Sequence, residues 1–212
     1  MGRGALIAIE GCDRTGKSLL AELLRDKIDD EYVRYTAFVT HSPNKHSKTG
    51  KILRDYLNED LELTDVVAHH LFSANIWETA SDFKESIRYS TLICDRYIAS
   101  TSAYTAAKGN LSLDWCEQFK TGLPKPDLVI YLECDIDTLA SREHFGADRF
   151  ETKNFQQSVK KQFEILREEA GDWMTVDVNT LSLTETCEKI FPTVKDLVFR
   201  LQRETHPLKY FE

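Results

Sequence analysis

The 212-residue sequence predicts an α/β fold in which a mostly parallel sheet is covered by helices on both faces. Short apolar stretches alternate with longer segments of helical periodicity, which is the pattern of strand–helix–strand units. The stretch 128–132 is apolar at every position, as expected of a strand that is buried on both faces. A glycine-containing loop joins the first apolar stretch to the first helical segment, and this arrangement is also typical of such folds.

The predicted elements account for most of the chain, and no linker, internal repeat or low-complexity tract separates them, so we expect one domain over residues 1–212. The strands are predicted at 5–10, 32–40, 91–95, 127–132 and 173–178. The helices are predicted at 17–30, 47–57, 64–88, 98–119 in two pieces, 136–144, 153–170 and 182–204. A capping box, Ser182-Leu183-Thr184-Glu185, begins the last helix, and Pro192 should kink or divide it.

Composition and charge narrow the classes of function. The formal net charge of −8 argues against a nucleic-acid-binding surface, which needs a basic face. The five cysteines have no metal-ligand spacing, and their odd number indicates free thiols in a reducing compartment. No signal peptide and no membrane-spanning apolar stretch is visible, so we expect a cytoplasmic or nuclear protein without a membrane partner.

Residues 11–18, Gly-Cys-Asp-Arg-Thr-Gly-Lys-Ser, match the phosphate-binding pattern G-x-x-x-x-G-K-[ST]. The backbone N–H groups of such a loop, with the helix N-terminus behind them, bind phosphate oxygens. Lys17 is expected to reach the β- and γ-phosphates of a bound nucleoside polyphosphate, and the Ser18 hydroxyl to ligate Mg²⁺. The alternative, an ordinary glycine turn, is disfavoured because a strand precedes the loop and a helix follows it. The predicted nucleotide-binding residues of the loop are Gly11, Cys12, Asp13, Arg14, Thr15, Gly16, Lys17 and Ser18.

Two further charged residues, Asp95 and Arg96, end the buried stretch 91–95. The carboxyl ends of parallel strands line the ligand crevice of such sheets, so both side chains should lie near the phosphate loop. Asp95 in that position could hold Mg²⁺, and Arg96 could bind a second phosphate group through two hydrogen bonds. The alternative is a structural ion pair at the end of a strand.

The middle of the phosphate loop carries an acid and a base that the pattern does not require, Asp13 and Arg14. Arg14 would neutralise charge on the transferring γ-phosphoryl group, as an arginine finger supplied in cis. Asp13 would be favourable in an anion site if it accepts a hydrogen bond from a substrate, for which a sugar hydroxyl is a natural donor. The alternative for Asp13 is a surface acid that pairs with Arg14.

The segment 141–152 is charged, lacks clear apolar periodicity and lies between two predicted helices. A lid that excludes water during phosphoryl transfer would be placed there. The alternative is an exposed loop between helices.

Several sequence blocks, in order and over nearly the whole chain, resemble the eukaryotic-type thymidylate kinases. The blocks are Arg3-Gly4-Ala5-Leu6-Ile7, the phosphate loop with Glu10 before it, Leu71-Phe72-Ser73-Ala74-Asn75 with Trp77-Glu78, Asp95-Arg96-Tyr97, Leu113-Asp114-Trp115-Cys116, Gly122-Leu123-Pro124-Lys125-Pro126-Asp127-Leu128, and Phe145-Gly146-x-x-Arg149 with Glu151. The resemblance implies a P-loop nucleoside monophosphate kinase fold with a five-stranded parallel sheet and a lid near 141–152. It also implies a homodimer and a reaction, transfer of the γ-phosphoryl group of MgATP to dTMP, which supplies dTTP synthesis.

The resemblance further implies roles for individual residues. Asp13 would bind the deoxyribose 3′-hydroxyl, Arg96 the dTMP phosphate and Arg142 the adenine of ATP. Phe72 would stack on the base and Tyr104 would close against the sugar and base. The catalytic residues would be Asp13, Arg14, Lys17 and Arg96, and the metal ligands Ser18 and Asp95. The substrate-binding residues would be Asp13, Lys45, Phe72, Ile76, Arg96, Thr101, Tyr104, Thr105 (near the pyrimidine edge) and Phe150.

The acceptor side departs from the family pattern at several positions. The family has Phe-Pro-x-Arg where this sequence has Ser42-Pro43-Asn44-Lys45. Lys45 keeps a positive charge for the acceptor phosphate, but it cannot form the two parallel hydrogen bonds that arginine forms. Ile76 stands where the family has an arginine that donates a hydrogen bond to the base carbonyl at position four. A buried acceptor left without its donor typically costs ~1–3 kcal/mol of binding free energy. Thr101 replaces a glycine, and Phe150 replaces a tyrosine in the lid.

The donor side is intact, which favours an active kinase with retuned base recognition over a decayed enzyme. Two alternatives stay open: a kinase of another pyrimidine monophosphate, and a nucleotide-binding regulatory protein with weak catalysis. A signalling GTPase is disfavoured because no x-Asp follows Asn44-Lys45 to read guanine. A nearby histidine could supply the donor missing at position 76, although the simpler interpretation of each is a surface or packing residue; these are His41, His46, His69 and His70.

Overall fold

A parallel sheet forms the centre of the protein. The computed structural model describes residues 2–31, 36–143, 145–146 and 148–212. Within them the strands are Leu6–Gly11 (β1), Thr36–His41 (β2), Ser90–Asp95 (β3), Leu128–Glu133 (β4) and Met174–Asp177 (β5). They pair in parallel in the order β2-β3-β1-β4-β5, which confirms the predicted five-stranded sheet. Because β1 is central, the phosphate loop that follows it opens at the middle of the carboxyl edge.

Helices flank the sheet and connect its strands. Over the described residues they are Lys17–Glu31 (α1), Lys48–Leu57 (α2), Asp65–Ala80 (α3), Phe83–Ser86 (α4), Ile98–Ala106 (α5), Leu113–Glu117 (α6), Ile136–Ala140 (α7), Lys153–Ala170 (α8) and Leu183–Arg203 (α9), with a 3-10 turn at Gln118–Lys120. The predicted bounds of α1, α2, α8 and α9 are right to within one residue at either end. No helix in the described ranges has both the length and the apolar character needed to cross a bilayer.

The two faces of the sheet are packed by separate groups of apolar side chains, because successive residues of a strand point to opposite faces. Ile7 and Ile9 of β1 belong to the group that includes side chains of α1 and α9. Leu6 and Ala8 belong to the other group, which includes Ile76 of α3. All of these side chains are essentially inaccessible to solvent. Burial on both faces explains why the central strand β1 is apolar at nearly every position.

Two helices end earlier than predicted, and both end at a serine. The segment 64–88 is interrupted after Ala80, so it forms α3 and α4 and not one helix. The segment 136–144 is helical only to Ala140. The hydroxyl groups of Ser81 and Ser141 donate to the carbonyl groups three residues earlier, at 2.9 and 2.7 Å. Such local side-chain bonds compete with the helical backbone, which is a physical reason for both endings.

The last helix runs through its proline. α9 is continuous from Leu183 to Arg203, so the predicted division at Pro192 is wrong. Proline removes one backbone hydrogen bond from a helix interior, at a cost of about 3 kcal/mol. Packing of the buried face of α9, which includes Ile190 and Val194, against α1 and the apolar core outweighs that cost. The predicted capping box is confirmed, since Ser182 and Glu185 each accept a hydrogen bond from the backbone N–H of the other.

Part of two predictions falls outside the described residues. The first part of the predicted strand 32–40 is residues 32–35, which the structure does not describe, and β2 extends one residue further than predicted, to His41. Within the segment 141–152, residues 144 and 147 are likewise outside the described ranges.

Candidate active site

A cavity of about 640 Å³ opens at the carboxyl edge of the sheet, beside the phosphate loop. Its volume lies in the range of small-molecule sites. The predicted site residues that line it are Asp13, Ser18, Lys45, Phe72, Asp95, Arg96, Thr101, Tyr104, Thr105 and Phe150. The fold thus brings together residues that are dispersed over most of the sequence.

The phosphate loop has the backbone conformation that its glycines permit. Gly11 has φ 146°, and a side-chain carbon there would lie 2.7 Å from the carbonyl oxygen of Leu132 in the neighbouring strand. Arg14 has φ 63°, a left-handed conformation that is unfavourable for a residue with a side chain. Such conformations concentrate at ligand sites, where the surrounding structure maintains them.

The side chain of Lys17 is buried and folded onto its own loop. Its Nζ donates to the carbonyl group of Cys12 and, at 3.1 Å, to the hydroxyl group of Thr15. Burial lowers the pKa of Lys17 to about 8, and the positive charge of Arg96 acts in the same direction, while nearby carboxylates oppose both. The two acceptors hold the ammonium group inside the curve of the loop, where phosphate oxygens would bind.

Asp13 is held between Arg96 and Gln156. Arg96 Nη2 donates to one carboxylate oxygen of Asp13, and Gln156 Nε2 donates to the other at 2.7 Å. The backbone N–H of Asp13 in turn donates to Gln156 Oε1 at 3.0 Å. Burial alone would raise the pKa of Asp13, but the charges of Arg96 and Lys17 outweigh it and hold that pKa below its usual value. Asp13 is therefore an oriented carboxylate, paired with Arg96.

Arg14 is paired with Glu151 of the segment 141–152. Arg14 Nε and Nη2 donate to the two carboxylate oxygens of Glu151 at 2.7 and 3.0 Å. Glu151 is buried and also accepts a hydrogen bond from the backbone N–H of Gly146 at 3.0 Å. From the same segment, Arg142 donates to the carbonyl groups of Arg14 and Val178. The described part of 141–152 therefore contacts the phosphate loop directly.

Ser18 and Asp95 lie together at the rim of the loop. The Ser18 hydroxyl donates to Asp95 Oδ2 at 2.5 Å, and His41 Nδ1 lies 3.1 Å from the same oxygen. Burial would raise the pKa of Asp95, but the hydrogen bond from His41 and the charges of Arg96 and Lys17 lower it to about 2. The hydrogen bond to Asp95 also raises the pKa of His41. A hydroxyl and an ionised carboxylate are oxygen ligands of the kind that Mg²⁺ prefers.

A buried acid supports Arg96 from behind. Arg96 has φ 65°, and its Nη1 donates to the carbonyl group of Gly11 at 3.2 Å and to Ser100 Oγ at 3.3 Å. Glu10 of β1 accepts hydrogen bonds from the backbone N–H of Tyr97 at 3.0 Å and from the Ser100 hydroxyl. Burial raises the pKa of Glu10. These contacts fix the turn after β3 and aim the guanidinium group at Asp13.

The loop that carries Lys45 is attached to α3 by one buried amide. Asn75 Oδ1 accepts a hydrogen bond from the backbone N–H of Asn44 at 2.7 Å. Its Nδ2 donates to the hydroxyl groups of Ser47 and Thr49, each at 2.9 Å. Lys45 is exposed on the wall of the cavity.

Ile76 lies beside the cavity, at a small pocket of about 10 Å³ that it shares with His41 and Arg96. Among the described residues that line the cavity Ile76 does not occur, and its side chain is buried in the apolar group that contains Leu6 and Phe83. Arg142 also lies off the cavity, on the phosphate-loop side. Phe150 takes part in an aromatic wall, with its ring 6.2 Å from that of Tyr104 and stacked at 5.2 Å on that of Phe155.

Four residues that support the site received no role from the sequence: Glu10, Asn75, Glu151 and Gln156. One of them carries a recognisable signal. The buried residues of α8 are Gln156, Val159, Phe163 and Leu166, so a glutamine occupies a position in the apolar stripe of an amphipathic helix. A buried polar side chain needs hydrogen-bond partners. The amide group of Gln156 donates hydrogen bonds to the carboxylate of Asp13 and to the carbonyl group of Phe150.

A phosphate loop and an aromatic-walled cavity at the same edge of a five-stranded parallel sheet define a P-loop nucleoside monophosphate kinase. The family model described as "Thymidylate kinase" matches residues 9–190. The chain belongs to the thymidylate kinase family.

Individual relatives give the same result. The chain is 40% identical to a thymidylate kinase of Schizosaccharomyces pombe over 201 residues, covering 92% of each chain. It is 38% identical to a human thymidylate kinase over 179 residues, covering 84% of each. A solved structure of thymidylate kinase from Candida albicans matches this chain over the full length of both proteins, with a TM-score of 0.88 and 29% sequence identity. These matches confirm the predicted ATP-dependent phosphorylation of dTMP to dTDP.

Proposed function

We propose that the reaction takes place between the phosphate loop and the aromatic wall of the cavity. The observation that supports this most directly is that one cavity is lined both by Asp13 and Ser18 of the phosphate loop and by Phe72, Tyr104 and Thr105. A nucleoside monophosphate bound against the aromatic side chains would present its phosphate to the loop. Positioning of this kind supplies most of the catalysis in phosphoryl transfer.

On the donor side, the N–H groups of residues 11–18 and the ammonium group of Lys17 bind the phosphates of ATP. Arg14 neutralises charge that develops on the transferring group. Its pairing with Glu151 supports this role, because two hydrogen bonds restrict the guanidinium group of a long side chain. Arg142 binds near the adenine, at the outer side of the loop.

On the acceptor side, Arg96 and Lys45 bind the phosphate of dTMP. Asp13 accepts a hydrogen bond from the sugar hydroxyl, and its orientation by Gln156 supports that role. The base lies between Phe72 and Tyr104. Thr101, Thr105 and Phe150 bound the rest of the acceptor cavity.

Ser18 and Asp95 would hold Mg²⁺ that enters with ATP. The metal supplies charge neutralisation for the phosphates. Asp95 is suited to this role because its low pKa keeps it ionised at neutral pH.

The test is a coupled assay of ADP release with MgATP and dTMP, run beside dUMP and dCMP. We expect turnover with dTMP. Absence of turnover at millimolar dTMP, with the protein shown to be folded by circular dichroism, would refute the proposal.

A broadened acceptor range is the second candidate, and the position of Ile76 favours it. The thymidylate kinase from Candida albicans is described as having broad substrate specificity. Here an apolar residue buried in the core of the protein stands where the family has a base-reading arginine. The same assay decides between the candidates, since values of kcat/KM for dUMP close to that for dTMP would establish the broader range.

We also propose that the protein is a homodimer that uses α2 and α3. Four large apolar side chains of these helices are exposed: Ile52, Val66, Val67 and Trp77. Exposed apolar residues grouped on adjacent elements are typical of a protein interface. Light scattering should give twice the chain mass, and Val67→Glu should give the mass of one chain. A single-chain mass for the parent would refute the dimer.

A cytoplasmic or nuclear location belongs to the same proposal. All five cysteines are described, buried and free of disulfide bonds, which suits a reducing compartment. Fluorescence microscopy of a tagged chain in its own cells would test this location.

A further inference from the structure

One cationic side chain of the site is held only through its backbone. Lys45 is exposed on the wall of the cavity, and within the described ranges its ammonium group takes part in no hydrogen bond or ion pair. Arg14, Lys17 and Arg96 differ from it, because each donates to partners that fix the end of its side chain. The position of the Lys45 charge therefore depends on where the loop that carries it lies.

A buried amide group of α3 holds that loop. Asn75 is 1% exposed, and its Oδ1 accepts a hydrogen bond from the backbone N–H of Asn44, the residue before Lys45, at 2.7 Å. Its Nδ2 donates to the Asn44 carbonyl group at 3.3 Å and to the hydroxyl groups of Ser47 and Thr49, each at 2.9 Å. One side chain thus binds both backbone polar groups of Asn44 and the beginning of α2.

A glycine of α2 contacts the same loop. A side-chain carbon at Gly50 would lie 1.7 Å from the carbonyl oxygen of Asn44 and 3.0 Å from the Cα atom of Lys45. The backbone of the loop therefore occupies the space that any other residue at position 50 would need. The loop is confined by this contact as well as by the hydrogen bonds of Asn75.

We propose that Asn75 is a positioning residue, which holds Lys45 where its charge reaches the phosphate of the acceptor. A lysine ammonium group is a point charge on a flexible chain, so its attraction to a phosphate depends on distance and not on a paired geometry. A displaced loop would carry the charge away from the phosphate and leave the sites for sugar and base intact. This inference rests on the proposed function, because it requires Lys45 to bind the phosphate of dTMP.

Calorimetric titration with dTMP and with thymidine, which lacks the phosphate, separates this role from a general effect on the fold. Asn75→Leu should weaken binding of dTMP about tenfold and leave that of thymidine unchanged. Thymidine is the reference because Phe72, proposed to stack on the base, precedes Asn75 by three residues on α3, so a disturbed helix would weaken both ligands. Ser73→Ala, the control, removes a buried hydroxyl group that donates within α3, to His69, and should match the parent.

Two further variants test whether the effect passes through Lys45. Gly50→Ala removes no hydrogen bond and favours the helix, but its methyl group displaces the loop and should weaken dTMP in the same way. In a Lys45→Ala background, Asn75→Leu should have no further effect on dTMP, because the charge that it positions is gone. Circular dichroism shows whether each variant is folded, and should Asn75→Leu fail to fold, Gly50→Ala decides by the same comparison.

Equal losses of affinity for dTMP and thymidine in Asn75→Leu would overturn the inference. A loss of the same size in the Lys45→Ala background as in the parent would also overturn it. The proposed function fails separately: if Lys45→Ala binds dTMP as tightly as the parent, the phosphate role of Lys45 is refuted and the inference with it. If Lys45→Ala loses affinity and Asn75→Leu does not, the role of Lys45 stands and only the inference fails.

Discussion

At the scale of single residues, the site depends on side chains that hold other side chains. Gln156 contributes no charge, yet it bonds both the carboxylate and the backbone N–H of Asp13. Glu151 holds Arg14 in a similar way, through two hydrogen bonds to its guanidinium group. Long charged side chains adopt many orientations unless their geometry is imposed, and these two residues impose it.

Replacing Gln156 with leucine should lower kcat/KM for dTMP by roughly ten- to a hundredfold. Hydrogen bonds to a charged group contribute about 1.5–3 kcal/mol, and their loss frees Asp13 from its orientation. KM for ATP should change little. Gln157→Leu is the control, because Gln157 is the exposed neighbour on the same helix. Equal kinetics of the two variants would contradict the role given to Gln156.

Replacing Glu151 with glutamine should lower kcat by roughly tenfold or more, because Arg14 loses a charge-assisted pair and gains freedom. Affinity for dTMP should be nearly unchanged. Single-turnover kinetics measure the chemical step directly. Glu143→Gln, at an exposed position of the same segment, should match the parent, and an effect as large as that of Glu151→Gln would point to a general charge effect.

At the scale of elements, packing decides where helices begin and end. α3 and α7 end before their predicted bounds, at serines whose hydroxyl groups donate to the helix backbone. α9 continues through a proline, although the local preference is against it. In each case a local conformational preference of at most a few kcal/mol competes with the burial of apolar side chains. The local hydrogen bond prevails at the ends of α3 and α7, and burial prevails in α9.

Pro192→Ala should stabilise the protein by about 1 kcal/mol or more, because alanine restores the missing backbone hydrogen bond without removing packing. Pro192 is exposed, so the substitution opens no cavity. Urea unfolding monitored by circular dichroism gives the free energy. The neighbouring exposed Thr193→Ala serves as control, and a destabilised Pro192→Ala would show that the helix depends on the proline geometry.

At the scale of the whole molecule, an acidic protein with net charge −8 carries three cationic side chains in and beside the phosphate loop. Acidic groups compensate all three charges. Arg96 pairs with Asp13, Arg14 pairs with Glu151, and Lys17 lies near the carboxylates of Asp13 and Asp95. One buried titratable residue, His69, lies 3.0 Å from Thr105 of the cavity wall. Burial disfavours its protonated form, so the free energy of unfolding should depend on pH through this residue.

Stability should fall as pH decreases from about 6.5 to about 4, by up to about 3 kcal/mol from His69 alone. Its folded pKa lies below the unfolded value, so the unfolded chain binds the proton more readily and the contribution is present in full only above the unfolded pKa. Urea unfolding of the parent and of His69→Phe at several pH values isolates this contribution. Parallel curves for the two proteins would contradict it.

Sequence by itself determined the parallel sheet, the phosphate loop and the family, because strands and the loop depend on neighbouring residues and the family on short blocks along the chain. Only the tertiary structure decided the partners: Asp13 meets Gln156, 143 positions away, and Arg14 meets Glu151, 137 positions away. It also placed Ile76 in the core and His69 behind Thr105. Local patterns record which face of an element is buried, whereas contacts between distant side chains exist only once the sheet has assembled.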